Sequence, residues 1–338
     1  MAVSALFTAS IRRRQLGALH ASFVIAWFLL PAYFLLPSVQ AQTLEPADTI
    51  RIDTDLVNVS VSVFSRPASS PKSALEQKDF AVFENGQPQE ISFFASAETP
   101  FDLVLLLDLS GSTADKIKLI RTSSKRFVDA ARPGDRIAIV TFTADVQVVS
   151  RLTLDHEALK TSIHQIAKPR GGTNLWDALR FVLEHIVGQS RLEGRRSAVV
   201  VMTDGVDNAL PGVFGDGSVT TFAELVEIGR RSDTIVLPIC LDTLKEGRHN
   251  GTPISAYALA QQQLSDLASE SGNSVYQARK VEDLDGAYAQ VIRDLSTVYS
   301  IGYRPANRVR DGSWRAVAVQ LVGRPGLVAR ARRGYYAK

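Results

Sequence analysis

Short runs of apolar residues, each closed by polar or acidic residues, are the feature that most constrains the fold. The clearest are Phe101–Leu107, Ser197–Thr203 and Thr234–Leu241. Runs this short and this apolar are typical of strands buried on both faces of a parallel sheet. Between and after them lie amphipathic stretches that predict helices: Ala114–Ala131, His156–Ala167, Leu175–Val187, Phe222–Arg231, Tyr257–Ser271 and Leu284–Leu295. This alternation predicts an α/β fold with a doubly wound, mostly parallel sheet.

Oxygen-bearing side chains follow the predicted strands at the points where the strands end. Asp108, Ser110 and Ser112 stand on alternate residues after the first run, Thr173 lies in a glycine turn, and Asp204 closes a later run. Loops after parallel strands meet at the carboxyl edge of the sheet, where open α/β folds bind ligands. Carboxylates and hydroxyls are hard donors suited to Mg²⁺ or a similar ion. The alternative interpretation is a common turn whose aspartate and serines only cap the next helix.

These residues resemble the metal-ion-dependent adhesion site of the von Willebrand factor type A family. That site consists of Asp-x-Ser-x-Ser, a threonine in a glycine turn, and an aspartate after a later strand. The resemblance implies a Rossmann-like type A domain in which Ser110, Ser112 and Thr173 bind the ion through their hydroxyls. Asp108 and Asp204 would act mostly through bound waters, and an Asp or Glu carboxylate of a protein partner would fill the open position. Mg²⁺ suits this arrangement, with Mn²⁺ or Ca²⁺ as alternatives.

Segments with strand character flank the α/β region on both sides. In residues 51–97 the run Asp55–Phe64 alternates apolar and polar residues, and Asn85-Gly86 is a hairpin signal between Asp79–Glu84 and Gln89–Phe94. In residues 298–338 the candidate strands are Tyr299–Arg304, Trp314–Val322 and Leu327–Arg332. Neither segment is large enough to be stable alone. We therefore predict one small β-sandwich-like unit built from both, with a type A domain of residues 100–297 inserted between them and one antiparallel strand, Val146–Leu152, at the edge of its sheet.

The flanking motifs are also similar to those of a group of exported bacterial proteins described as related to the type A family. The hairpin motif here is Asp79-Phe80-Ala81-Val82-Phe83-Glu84-Asn85-Gly86, and the later motifs are Tyr299–Tyr303, Trp314-Arg315 and Gly334-Tyr335-Tyr336. With them the resemblance extends over nearly all of the chain beyond its N-terminal segment.

The N-terminal segment of residues 1–41 has the features of a signal peptide. Arg12, Arg13 and Arg14 precede an apolar stretch, and Val39-Gln40-Ala41 offers small residues for cleavage after Ala41. An uncleaved membrane anchor is the alternative, because about twenty apolar residues can span a bilayer. Both interpretations predict an exported protein, periplasmic or extracellular.

Composition bounds the possible partners. The formal net charge of +3 over 338 residues gives no reason to expect nucleic-acid binding. Cys240 is the single cysteine, so an intrachain disulfide is excluded, and its apolar surroundings predict a buried thiol. The C-terminal segment is rich in arginine, which is typical of a solvated sheet face and, alternatively, of a phosphate- or lipid-binding stripe. The sequence indicates no oligomeric state.

The motifs favour a binding module over an enzyme. The sequence contains no Gly-x-Ser-x-Gly elbow, His-Glu-x-x-His motif or P-loop, and none of its five histidines lies in the three metal loops. We therefore predict a non-enzymatic, metal-dependent protein-binding or adhesion module. The alternatives are a metal-dependent hydrolase and a cell-envelope assembly scaffold with a structural metal.

Overall fold

The computed structural model describes residues 56–65, 74–167, 171–187, 195–243 and 251–337. The predicted signal segment of residues 1–41 lies outside these ranges, and the side chain of Ser112 also lies outside the described part. Among the helices that the structure describes, none is long and apolar enough to cross a membrane.

The described chain begins and ends with strands. The first four are β1 (Val57–Ser65), β2 (Phe80–Glu84), β3 (Gln87–Gln89) and β4 (Ile91–Ala95). The strands of the α/β region are β5 (Phe101–Asp108), β6 (Arg136–Phe142), β7 (Val146–Thr153), β8 (Arg196–Thr203), β9 (Ile235–Leu241) and β10 (Tyr276–Ala278). The last four are β11 (Val298–Tyr303), β12 (Trp314–Leu321), β13 (Leu327–Ala331) and β14 (Gly334–Tyr336).

The α-helices that the structure describes all belong to the α/β region. They are α1 (Ile117–Ala130), α2 (His156–Gln165), α3 (Leu175–Phe181), α4 (Phe222–Arg231), α5 (Ile254–Glu270) and α6 (Leu284–Leu295). A short π-helical turn, Val182–Ile186, continues α3. The predicted helix from Ala114 begins only at Ile117, because residues 111–116 form a tighter 3₁₀ turn. There the hydroxyl of Thr113 donates to the carbonyls of Asp108 and Ser110, which holds the chain in a close turn.

The α/β region is built on a six-stranded sheet in the order β10-β9-β8-β5-β6-β7. Its strands are parallel except β7, which pairs antiparallel with β6 at the edge. Every residue of β5, β8 and β9 is buried, as the apolar runs predicted. One face of the sheet packs on α1, α2 and α6, and the other packs on α3, α4 and α5. The predicted doubly wound sheet with one antiparallel edge strand is confirmed.

The flanking strands form two four-stranded sheets, in the orders β13-β1-β11-β4 and β14-β12-β2-β3. Each sheet combines strands from both ends of the chain: β1 pairs with β11 and β13, while β2 pairs with β12. Val61, Phe80, Ile301 and Val317 lie in the core that the two sheets share. The predicted β-sandwich-like unit of N- and C-terminal strands is therefore confirmed as part of the fold.

The strand predicted over Gln89–Phe94 is wrong in its pairing. Only β3 completes the hairpin with β2, and the chain then crosses to the other sheet, where β4 pairs with β11. Asn85 and Gly86 form the predicted turn with φ values of 48° and 79°. Pro88 offers no N–H to the ladder, so the hairpin pairing is short and the chain leaves it at Glu90.

A buried ionic cluster, which we call the Glu84 cluster, ties the two sheets together. The Glu84 carboxylate accepts hydrogen bonds of 2.8 Å from the hydroxyls of Tyr303 and Tyr335. The Arg315 guanidinium lies 3.4 Å from the same carboxylate and also donates to the carbonyls of Asn307 and Val309. Because Glu84 and Arg315 are both almost fully buried, each charge depends on the other.

A second buried arginine, Arg196, lies where the α/β region joins the β-sandwich. Its guanidinium donates to the carbonyls of Ala97 and Thr99 on the incoming connection and to the carbonyl of Val298 on the outgoing one. It also stacks 4.0 Å from the centre of the Phe101 ring. Burial lowers the pKa of Arg196 to about 9, so the side chain stays charged at neutral pH. The Arg196 side chain thus contacts both segments that connect the α/β region to the β-sandwich.

Cys240 is expected to be unreactive in the folded protein. The thiol is buried in β9, and burial raises its pKa to about 12, so it stays protonated at pH 8. A thiol-disulfide reagent such as DTNB should react with it only after denaturation. Native and guanidinium-denatured samples, compared by absorbance, test this; reaction of the native protein at the denatured rate would contradict it.

Candidate metal centre

Asp108 is the last residue of β5 and is fully buried. Its carboxylate accepts a 2.9 Å hydrogen bond from the backbone N–H of Ser110 and a 2.6 Å hydrogen bond from the Thr203 hydroxyl. These donors are neutral groups. Burial raises the pKa of Asp108, and the nearby carboxylate of Asp204 raises it further. The folded chain therefore places an acidic group where its negative charge is unfavourable without a cation.

Asp204 follows β8, the strand that pairs in parallel with β5. One carboxylate oxygen accepts from the backbone N–H of Val206 at 3.1 Å, and the other accepts from the Thr243 hydroxyl at 2.5 Å. Thr243 comes just after β9, so three consecutive strands of the sheet contribute to this point. Leu107 and Met202 are register partners, which puts Asp108 and Asp204 at the ends of adjacent strands.

Ser110 and Thr173 approach the same edge from two other loops. Ser110 is buried directly after β5. Thr173 is buried in the turn before α3, and its carbonyl accepts a 2.9 Å hydrogen bond from the backbone N–H of Asn208. Asn208 follows Asp204 by four residues, so the Thr173 turn and the Asp204 loop are joined directly. The side chain of Ser112 lies outside the described part of the chain.

The turn that carries Thr173 depends on two glycines. Gly171 has φ +115°, a conformation that favours glycine, and it packs on Thr143 at the end of β6. A Cβ on Gly172 would lie 2.4 Å from the side-chain nitrogen of Asn208. A side chain at position 172 would therefore displace the Asn208 side chain, which lies between this turn and the Asp204 loop.

The structure thus brings Asp108, Ser110, Thr173 and Asp204 to one edge of the sheet. Two carboxylates close enough to repel each other, with hydroxyls beside them, are the donor chemistry of a site for a hard divalent cation. The residues present fit such an ion.

A family model described as the von Willebrand factor type A domain matches residues 102–290, more than half of the 338-residue chain. The chain belongs to this family. The match begins in β5 and ends in α6, and so covers the α/β region that carries the candidate site. From here on we call this region the type A domain.

Solved structures similar to the chain include two bacterial proteins. BatB from Bacteroides thetaiotaomicron matches with 16% identity over 58% of this chain and 98% of its own, at a TM-score of 0.44. The vWF domain of the type V pili tip protein Mfa5 from Porphyromonas gingivalis matches with 14% identity over 58% and 94%, also at 0.44.

A third similar structure is proximal thread matrix protein 1 from the mussel byssus, with a zinc-occupied MIDAS motif. It has 17% identity over 59% of this chain at a TM-score of 0.45, and the chain spans about half of its length, 48%. At these sequence identities and TM-scores, the similar structures do not indicate a function.

Three residues that support the site were missed or undervalued in the sequence. Thr203 and Thr243 donate to the two aspartates, but hydroxyl residues at strand ends are too common to single them out. Asp207 is one of several polar residues in its loop, and the structure shows it fully buried. Its carboxylate accepts from the N–H groups of Trp176 and Ala209 at 3.1 and 2.8 Å and from the Ser218 hydroxyl at 2.6 Å.

Replacing Asp207 with alanine is expected to loosen the loop between Asp204 and α4. The change leaves buried N–H groups without acceptors and should lower the free energy of unfolding by about 3 kcal/mol. Urea denaturation measures this, and proteolysis after the exposed Phe214 should become faster. Asp216→Ala, an exposed residue of the same loop, is the matched control. Equal proteolysis rates in both variants would contradict the anchoring role.

Proposed function

We propose that this protein is an exported, divalent-metal-dependent protein-binding module. In this proposal Asp108, Ser110, Ser112, Thr173 and Asp204 hold the ion, and a partner supplies an Asp or Glu carboxylate to it. The observation that carries the proposal is the pair of buried carboxylates at the ends of β5 and β8, each within electrostatic reach of the other. Membership of the type A family supports it.

In this proposal some residues of the site bind the ion directly, and others hold its waters or orient the ligands. Hydroxyls from Ser110, Ser112 and Thr173 would bind the ion, whereas Asp108 and Asp204 would hold its bound waters. Thr203 and Thr243 donate hydrogen bonds to the carboxylates of Asp108 and Asp204 and so orient them. When bound, a divalent ion held mainly by neutral oxygens supplies an electrophilic position for an anionic ligand. Mg²⁺ is the proposed ion, with Mn²⁺ or Ca²⁺ as alternatives.

The surface beside the site indicates what else the partner presents. Phe214 and Val219 are 80% and 90% exposed on the loop that follows Asp204. Gly215, next to Phe214, packs on the Asn208 side chain, which in turn lies against Gly172 beside Thr173. Contiguous exposed apolar surface is typical of protein-binding sites, and we propose that Phe214 and Val219 belong to such a surface. We therefore infer that the partner's acidic residue is accompanied by an apolar side chain.

The domain division and the export of the protein belong to the same proposal. Residues 1–41 would direct export, as a cleaved signal peptide or as an anchor. Residues 51–97 and 298–338 would form the β-sandwich that presents the type A domain, residues 100–297. Mass spectrometry of the protein from the native cell envelope tests whether the N-terminal segment is cleaved, since cleavage after Ala41 gives a defined N-terminus.

Capture of envelope proteins on the immobilised protein tests the function. We expect capture in Mg²⁺, loss of capture in EDTA, and loss in Asp108→Asn but not in Asp266→Asn, a change of an exposed aspartate on α5. Capture that is indifferent to both EDTA and the variant would overturn the proposal. Turnover of a phosphate or acyl ester that follows Mg²⁺ would favour a hydrolase. Loss of thermal stability in EDTA with retention of the partner would favour a scaffold with a structural metal.

A further inference from the structure

A cavity of about 320 Å³ lies between the β-sandwich and the end of α4, away from the metal-site edge of the sheet. Its walls come from the start of β1, the loop between β11 and β12, the C-terminal residues and α4. Among the described residues that line it, Asp233 is the one acidic residue, against six arginines. The six are Arg230, Arg231, Arg308, Arg310, Arg315 and Arg332.

Three of these arginines are held in fixed positions by carboxylates. Arg230 pairs with Glu270 at 2.9 Å, Arg315 with Glu84 at 3.4 Å, and Arg332 with Asp233 at 3.2 Å. Arg230 also pairs with Glu227 at 2.7 Å, and Glu84, Glu227 and Glu270 are not part of the described lining. A ligand inside the cavity therefore faces guanidinium groups that are already ordered, which lowers the entropic cost of binding.

Three arginines of the lining keep unmet hydrogen-bonding capacity or an unpaired charge. The Nε–H groups of Arg315 and Arg332 are buried and have no hydrogen-bond partner in the part of the chain that the structure describes. Arg308 is exposed on the loop between β11 and β12 and pairs with no carboxylate among the described residues. A bound oxyanion would neutralise Arg308 and accept charge-assisted hydrogen bonds from its guanidinium group.

We infer that this cavity binds a phosphate group. The guanidinium fork matches the spacing of phosphate oxygens and binds them in pairs, which is why clusters of arginine select phosphate. The volume is sufficient for a phosphate together with a small attached group. The arginine-rich C-terminal segment thus contributes to a concave site shared with α4, and not only to a solvated face. The group can come from a soluble phosphate compound or from a phospholipid headgroup.

Isothermal titration of the purified protein with inorganic phosphate, in EDTA and at low salt, tests the inference. EDTA keeps the metal centre out of the measurement. We expect saturable binding that Arg308→Ala weakens about tenfold, as the loss of one charge-assisted hydrogen bond implies. Arg304→Ala removes the same charge from an exposed residue outside the cavity and should change the affinity less than about twofold.

Co-sedimentation with phosphatidylglycerol vesicles, against phosphatidylcholine vesicles, separates the two sources. Vesicle binding that Arg308→Ala abolishes and Arg304→Ala keeps supports a lipid headgroup. Binding of inorganic phosphate without vesicle binding supports a soluble compound. Equal effects of the two variants, or no saturable binding in either experiment, would overturn the inference. Thermal unfolding of both variants should match the parent protein, because both side chains are exposed.

Discussion

Asp108→Asn is expected to abolish the rise in melting temperature that we expect Mg²⁺ to cause in the parent protein, without lowering the melting temperature in EDTA. The asparagine keeps the size of the side chain and an acceptor for the Ser110 N–H. The Thr203 hydroxyl can turn from donor to acceptor and bond to the new amide group. The variant therefore loses the negative charge and little else.

The physical reason lies in the pairing of Asp108 with Asp204. Without a cation, two buried carboxylates at neighbouring strand ends repel each other and oppose folding. Removing one charge relieves this repulsion, so stability in EDTA should stay equal or rise. With a saturating ion, the parent protein should gain about 2.7 kcal/mol at a hundredfold excess over the dissociation constant, a shift of about 5–10 °C.

Differential scanning fluorimetry with and without Mg²⁺, at pH 8, measures both effects. Asp266→Asn should keep the full Mg²⁺-dependent shift. A shift that persists in Asp108→Asn would remove this residue from the metal set. A large fall in its melting temperature in EDTA would show that the carboxylate is needed for the fold itself.

Glu84→Ala is expected to destabilise the protein by about 3–5 kcal/mol. The change leaves the buried Arg315 charge without its carboxylate, and it removes the acceptor of the Tyr303 and Tyr335 hydroxyls. Because these side chains come from both ends of the chain, the loss should weaken the two sheets together. Chemical denaturation measures it, and Glu90→Ala, an exposed glutamate nearby, should stay within about 0.5 kcal/mol of the parent.

A second variant separates the buried charge from the packing of the Glu84 cluster. The double variant Glu84→Met, Arg315→Met removes both charges and keeps much of the volume, so it should recover about half of the loss or more. A double variant as unstable as Glu84→Ala would show that the tyrosine hydrogen bonds, and not the unpaired arginine, carry the effect. A cost below about 1 kcal/mol for Glu84→Ala would contradict a structural role for the cluster.

The periodicity of the chain was sufficient to predict most of the architecture. Buried parallel strands such as β5 and β8 carry a strong signal, since they are apolar at every position. Short strands carry almost none: β14 has three residues and was not predicted as a strand. The sequence did not show that β3 pairs with β2 whereas β4 pairs with β11 in the other sheet. The pairing of a strand depends on its partner, and the alternation of residues within one strand does not reveal that partner.

Some residues of the candidate site could likewise be predicted from the sequence, and others could not. Asp108, Ser110, Thr173 and Asp204 could be named from the sequence because the motif is regular and each follows a predicted strand or turn. Thr243 could not, since its contact with Asp204 arises only when β9 lies beside β8. Asp207 is one polar residue among several in its loop, and only burial distinguishes it.

The pairing of β4 with β11 has a consequence for how insertions and deletions in the type A domain affect the β-sandwich. Ala95 and Ser300 are direct partners across these two strands, although the whole type A domain lies between them in sequence. In topological terms the domain stands where a hairpin turn would connect two antiparallel neighbours. The register of the sandwich is set by its own strands and not by this connection. We therefore expect that a change in the length of the type A domain leaves the strand order of this sheet unchanged.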